Sequence, residues 1–384
     1  MRRRTFIKTS GIASLAAAAP ISGFSNNSPN VPKELFQQVK FTRDGLDFTT
    51  QEYSHLLNKM ANSKGIKSDS YSRNGIVKDL EKKMAKVLGK ESAVFMPTGT
   101  LANNIAVKKL AGPDDRVIVQ AESHLYNDSG DGAQKLNNIN LIPLAPGKAS
   151  FTLEEVKEVL ARAEAGRVKT GVGVISIESP IRRVDNQLFD FESMQAIGKY
   201  AKEKGIRLHL DGARMFNACV HEGKSPAEYA AIFDTVYVSM YKDFNAASGA
   251  ILAGSHEFCK DLYHIRRMFG GGMPQVWPFA AVAYQYVDSF LDDYTETVKQ
   301  ADELFELLGE NQAFRVEKIP NGSNVLKLFV DVDDRAKFRQ NLRERNIIIP
   351  KQDHSFKGFK IKINPSLLRS KPIKLAEAFM ASLT

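Results

Sequence analysis

The stretch Ile206-Arg207-Leu208-His209-Leu210-Asp211-Gly212-Ala213-Arg214 reads as a short apolar strand that closes on an aspartate. A second apolar run, Thr235-Val236-Tyr237-Val238-Ser239-Met240-Tyr241, follows and delivers Lys242. Working outward, the same alternation of strand and helix continues in both directions. Upstream strands are expected at Ala93–Met96, Val117–Val119, Asn140–Ile142 and Gly173–Ile177, with helices over Gly75–Leu88, Leu101–Leu110, Thr152–Ala163 and Phe191–Glu203. Ser248–Gly254 adds one more strand downstream. Short apolar strands separated by amphipathic helices argue for an α/β fold, a mostly parallel sheet covered by helices on both faces.

In such sheets ligands sit beyond the carboxyl ends of the strands. A lysine placed there loses its proton by desolvation and becomes competent to form a Schiff base. An aspartate placed there can hold a protonated pyridine nitrogen and keep an electron sink electron-poor. Asp211 and Lys242 together therefore meet what pyridoxal 5'-phosphate requires. Pro97-Thr98-Gly99-Thr100 lies between a strand and a helix, where backbone N–H groups, hydroxyls and a helix N-terminus make a phosphate cradle. Ser239 is placed to add a hydroxyl to the same phosphate. His124 follows the next strand, as expected for a ring stacked on the cofactor. Glu178 ends another strand, and Arg214 lies just beyond Asp211, within reach of a phenolate oxygen.

The 384 residues are 43% hydrophobic and 25% charged, ordinary for a soluble globular enzyme with a sizeable core. Net charge is +9, but part of it belongs to Arg2-Arg3-Arg4-Thr5-Phe6-Ile7-Lys8, a basic start followed by a mostly small or apolar segment, Gly11 to Phe24. This reads as a secretory signal over residues 1–25, too short for a membrane span. Its Arg3-Arg4-x-Phe6-Ile7-Lys8 core is similar to the twin-arginine signal, so export, with a periplasmic destination, is expected. Elsewhere charges are scattered, with no basic stripe to suggest nucleic acid. Cys219 and Cys259 fall in expected helices and read as two buried free thiols. Residues 26–75 read as linker and N-terminal arm, with a helical piece at Glu52–Met60. The large domain is expected over residues 76–288. Residues 289–384 form a smaller α+β domain, bridged by long helices that end near Leu308.

The ordered set resembles the threonine aldolase and β-eliminating lyase family of fold-type-I pyridoxal-phosphate enzymes. The resemblance runs from about Asp47 to the C-terminus. It rests on Asp79-Leu80-Glu81, Leu88-Gly89-Lys90-Glu91, Phe95-Met96-Pro97-Thr98-Gly99-Thr100-Leu101-Ala102-Asn103, Ser123-His124, His209 to Arg214, Tyr241-Lys242, and Gly270-Gly271-Gly272-Met273. It implies Lys242 as the Schiff-base lysine, Asp211 on the pyridine nitrogen and Arg214 on the ring oxygen. It also implies His124 stacked on the ring, and Gly99 with Thr100 on the phosphate. A homodimer or homotetramer is implied too.

Departures fall on the substrate half. Asp243-Phe244-Asn245 stand where the family usually has Gly-Leu-Gly, and Pro274 where aldolases often carry an arginine. Arg73-Asn74-Gly75 replaces an acidic turn. Lys360, or alternatively Lys362, aligns with the arginine that usually grips the substrate carboxylate; lysine neutralises it without a bidentate fork. The expected chemistry is retro-aldol cleavage of a β-hydroxy-amino acid to glycine and an aldehyde, with His124 or a water it positions as base. Elimination, racemisation or transamination of another amino acid is the alternative within this chemistry. A protein that keeps the fold only to bind a ligand is the alternative outside it. No metal site is expected.

Overall fold

The computed structural model describes residues 35–384 except His354. The expected signal over residues 1–25 and the start of the expected linker lie outside the described residues. The arm contributes β1 (Val39–Lys40) and a helix, Thr50–Lys64, whose start is closed by a capping box between Thr49 and Glu52. Then come β2 (Ser92–Met96), β3 (Arg116–Gln120), β4 (Asn140–Leu144), β5 (Val172–Glu178), β6 (Arg207–Asp211), β7 (Thr235–Ser239) and β8 (Ala250–Gly254). Each of the expected sheet strands is present, within a few residues of its expected bounds.

These seven strands form one sheet in the order β2-β8-β7-β6-β5-β3-β4. The pairs from β4 through β7 are parallel, and β8 runs antiparallel to both of its neighbours. Every residue of β5, β7 and β8 is buried, as an apolar run covered on both faces must be. The helix Gly99–Ala111 lies across β5 to β8, so its N-terminus opens at the edge where β5, β6 and β7 end. Asp211 closes β6 beside Glu178, which closes β5, and the two are direct cross-strand partners. Lys242 lies three residues past the end of β7, in the tight connection to β8.

After the helices Trp277–Tyr286 and Phe290–Gly309, the chain builds a three-stranded antiparallel sheet. It consists of β9 (Phe314–Lys318), β10 (Val325–Val330) and, later, β12 (Phe359–Lys362), in the order β12-β10-β9. Between them β11 (Ile347–Ile348) pairs in parallel with β1, which ties the arm to the C-terminal region. Phe41 follows β1 and is fully buried, its ring 6.0 Å from Phe379 in an edge contact. Asn364 donates to the carbonyls of Lys40 (2.7 Å) and Arg43 (3.0 Å). Pinned at this point, the chain carries residues 42–50 over the carboxyl ends of the central strands. Cys219 and Cys259 are both free and buried.

Gly45 is where arm and sheet connection come closest. A Cβ there would collide with the Lys242 carbonyl oxygen and would lie 2.5 Å from the Asn245 side-chain oxygen. Gly45→Ala is therefore expected to cost about 1–3 kcal/mol by forcing the backbones apart. Denaturant unfolding measures the loss, and protease cleavage within residues 42–50 should become faster.

Candidate active site

The strand ends, the helix N-terminus and the arm enclose a cleft of about 1090 Å³. Thr98, Gly99, Thr100 and His124 line it, together with Glu178, Asp211, Arg214 and Lys242. Eight positions scattered over the sequence thus converge because each ends a strand or begins the segment after one.

At one end is the turn into Gly99–Ala111. Thr98 caps this helix by accepting the Leu101 N–H at 3.2 Å. Gly99 is required by packing, because any Cβ would fall on the Tyr237 phenol. Backbone N–H groups of a helix's first turn, undisturbed by a side chain at Gly99, form an anion cradle suited to a phosphate. Ser248 also lines the cleft here, donating to the Pro97 carbonyl at 3.1 Å. Ser239 is not among the residues that line it; it is fully buried at the end of β7, paired with Ala250 of β8. The fold-back places Ser248, rather than Ser239, at the wall.

Asp211 sits at the opposite end, almost fully buried. Asn103 donates to its Oδ2 at 2.5 Å and the Ala213 N–H to its Oδ1 at 3.2 Å. Behind it stands His209, whose pKa is pushed down to about 4 by burial, so the ring is neutral. Since the Asn103 amide nitrogen serves Asp211, its oxygen accepts from His209 Nε2 at 3.0 Å. His209 Nδ1 then accepts from the Thr235 hydroxyl at 2.9 Å. This relay from β7 to Asp211 was not anticipated from the sequence, although a histidine inside an apolar strand, two residues before the aspartate, is its visible signal.

Between the two ends lies a cluster of charge. Lys242 has its pKa lowered to about 8, first by burial and then by the neighbouring Arg214 guanidinium. Arg214 Nη2 lies 3.0 Å from Asp44 Oδ2, and Lys362 Nζ lies 2.7 Å from Asp44 Oδ1. Although burial opposes it, these two cations hold the Asp44 carboxyl well below the ordinary carboxylate range. Asp243 is buried too, and neither of its carboxylate oxygens has a hydrogen-bond partner. Burial raises its pKa to about 8, with the nearby Asp44 charge acting in the same sense.

His124 Nε2 is 3.1 Å from Thr100 Oγ1, and its Nδ1 is 3.8 Å from Asp128. Asp128 is itself gripped by Arg182 (2.5 Å) and Arg183 (2.9 Å). Glu178 accepts the backbone N–H of His124 at 2.6 Å and that of Arg182 at 3.1 Å. Burial, and secondly the Asp211 charge, lift its pKa to about 7. Lys360 lies away from the cleft lining, held by Asp185 at 2.6 Å, whereas Lys362 lines the cleft. Asp44 and the rest of the arm were not anticipated as part of this site.

The residues fit pyridoxal phosphate: an amine of lowered basicity, a braced carboxylate, an arginine and a side-chain-free helix N-terminus share one cleft. They define a pyridoxal-phosphate-dependent lyase of fold type I. The beta-eliminating lyase family model matches residues 47–333, and the chain belongs to that family. Low-specificity L-threonine aldolase 1 of Arabidopsis thaliana is 26% identical over 312 residues, covering 79% of this chain and 86% of that protein. Low specificity L-threonine aldolase of Escherichia coli K12 is 26% identical over 285 residues, covering 74% of this chain and 83% of that protein. A solved structure from Listeria monocytogenes, provisionally assigned as an L-allo-threonine aldolase, matches with TM-score 0.74 at 28% identity. It covers 90% of this chain and 96% of that chain.

Asp243 gives the fold a pH dependence. Its carboxyl ionises near the ordinary 3.8 when unfolded and near 8 when folded. The stabilisation of its neutral form is complete below the first value and is lost as pH rises through the second. Asp243→Asn stays neutral throughout. Its melting temperature at pH 8.5 should exceed the wild type's by several degrees, and the difference should vanish near pH 4.

Proposed function

We propose that this chain cleaves a β-hydroxy-amino acid to glycine and an aldehyde. The observation that carries the reading is the convergence of Lys242, Asp211, Arg214, His124 and the Gly99 helix N-terminus on one cleft. The threonine aldolases among its relatives support the choice of reaction. When bound, pyridoxal phosphate supplies the ring that takes up the electron pair of the broken Cα–Cβ bond. Lys242 provides the amine that attaches it, and with a pKa near 8 a useful fraction is unprotonated at neutral to mildly alkaline pH. Asp211, braced by Asn103, would hold a proton on the ring nitrogen. Arg214 would donate to the ring oxygen, and the first turn of Gly99–Ala111 would bind the phosphate.

His124 takes the proton of the substrate's β-hydroxyl. Its orientation is set by Thr100 on one ring nitrogen and Asp128 on the other side. Arg182 and Arg183 hold Asp128 in place. Glu178, whose carboxyl exchanges its proton near neutrality, fixes the backbone of His124 and is a second proton carrier at the strand edge.

We also propose that the protein is exported, on the strength of Arg3-Arg4-Thr5-Phe6-Ile7-Lys8 and the apolar segment after it, and that it works as a homo-oligomer. Tyr71 and Met268, exposed close to the Gly270–Met273 turn, support the second reading. N-terminal sequencing and light scattering of the mature protein test these two points.

The reaction is tested by giving cofactor-loaded protein a panel of β-hydroxy-amino acids and quantifying products. Glycine with an equal amount of aldehyde is expected; keto acid with ammonia would replace retro-aldol cleavage by elimination. Lys242→Ala should abolish the visible absorption band that the wild type gains with pyridoxal phosphate. His124→Ala should keep that band while losing about 10²-fold or more in kcat.

A further inference from the structure

An amino-acid substrate brings an α-carboxylate into the cleft, and a buried carboxylate needs a cation. Among the described residues, five lysine and arginine side chains line the cleft: Arg43, Arg182, Arg214, Lys242 and Lys362. Lys242 and Arg214 are reserved for the cofactor. Arg182 is bound to Asp128. Arg43 is 74% exposed and 4.0 Å from Asp47, on the solvent side. Lys362, half-buried, remains for the carboxylate, and one carboxylate of the chain itself holds both it and Arg214. Asp44 Oδ2 takes Arg214 at 3.0 Å, and Oδ1 takes Lys362 at 2.7 Å and the Asn324 amide at 3.2 Å.

Asp44 is not a side chain resting in an empty space. Phe41 is buried just before it, Gly45 packs on the Lys242 carbonyl, and Leu46 donates to Asn245 at 2.7 Å. Its carboxyl stays ionised at any working pH.

We infer that Asp44 determines specificity at this site by occupying Lys362, so that a substrate carboxylate binds there only in competition with it. A second carboxylate placed against the same lysine meets a fixed like charge a few ångströms away, and the two repel. A hydroxyl in the same place donates to Asp44, whose carboxylate has lone pairs beyond the three donors it already accepts. The site is thereby open to amines that carry a hydroxyl where an amino acid carries its carboxylate. The inference rests on the lyase reading only in taking an amine on the cofactor as the reacting group.

The experiment compares glycine with ethanolamine, the same amine bearing a hydroxymethyl group in place of the carboxylate. Each is titrated calorimetrically into cofactor-loaded protein. Neither requires carbon–carbon cleavage, so the outcome is independent of whether any β-hydroxy-amino acid is cleaved. Asp44→Asn should shift the ratio of the two dissociation constants toward glycine by about tenfold. Asp44→Glu, which keeps the charge, should retain the wild-type ratio. Adding Lys362→Met to Asp44→Asn should remove the gain. An unchanged ratio in Asp44→Asn, with circular dichroism showing a native fold, overturns the inference, as does a gain that persists without Lys362. Should Asp44→Asn fail to fold, Asp44→Ser takes its place under the same two criteria.

Discussion

Everything in this site follows from crowding ionisable groups where a parallel sheet leaves its strand ends out of reach of water. Removing a charge from water is costly, and the chain has two ways to meet that cost. Where a partner is within reach, charges pair: Asp44 with Lys362 and Arg214, and Asp128 with Arg182 and Arg183. Where no full partner is available, the group moves toward its neutral form. Lys242 is lowered to about 8, Glu178 raised to about 7 and Asp243 raised to about 8. The paired groups position; the shifted groups exchange protons under ordinary conditions. Structural and chemical roles are divided by the availability of partners.

The same logic explains the relay behind Asp211. A carboxylate meant to hold a ring proton must stay charged and point one way. Asn103 supplies a neutral donor, and neutral His209 takes up the other end of its amide. A cation in the place of Asn103 would have paired with Asp211 outright and competed with the ring. Neutral braces hold the geometry without drawing off the charge.

The sheet and its chemistry were legible in the sequence because the signals are local. Apolar runs mark the strands, and the residue closing each run falls at the site; Asp211, Glu178 and the Gly99 turn needed nothing more. Ser239 and Lys360 show where local reading stops. Ser239 lies at a strand end like the others, but it is buried where β7 pairs with β8. Lys360 and Lys362 lie two residues apart on β12, so alternation puts them on one face and cannot choose between them. The choice is made by Asp185 beside one and Asp44 beside the other. Asp44 stood in a polar stretch, Thr42-Arg43-Asp44-Gly45, whose place depends on β1 pairing with a strand about three hundred residues downstream. No periodicity near residue 44 carries that information.

The departure after Lys242 and the arm are one feature. Asn245 has φ of 59°, a left-handed backbone ordinarily left to glycine but tolerated by asparagine. A glycine would fit that backbone equally well, but only asparagine brings a side chain to it. The Asn245 oxygen accepts from Leu46 and packs on Gly45, locking the arm to the connection. Phe244 fixes the other side, its ring 4.8 Å from Phe216 and 5.7 Å from Phe290. Asp243, between Lys242 and Phe244, is held in the interior by this packing rather than by any hydrogen bond. Asp243-Phe244-Asn245 thus dock the arm on the connection, and the docked arm is what sets Asp44 against Lys362.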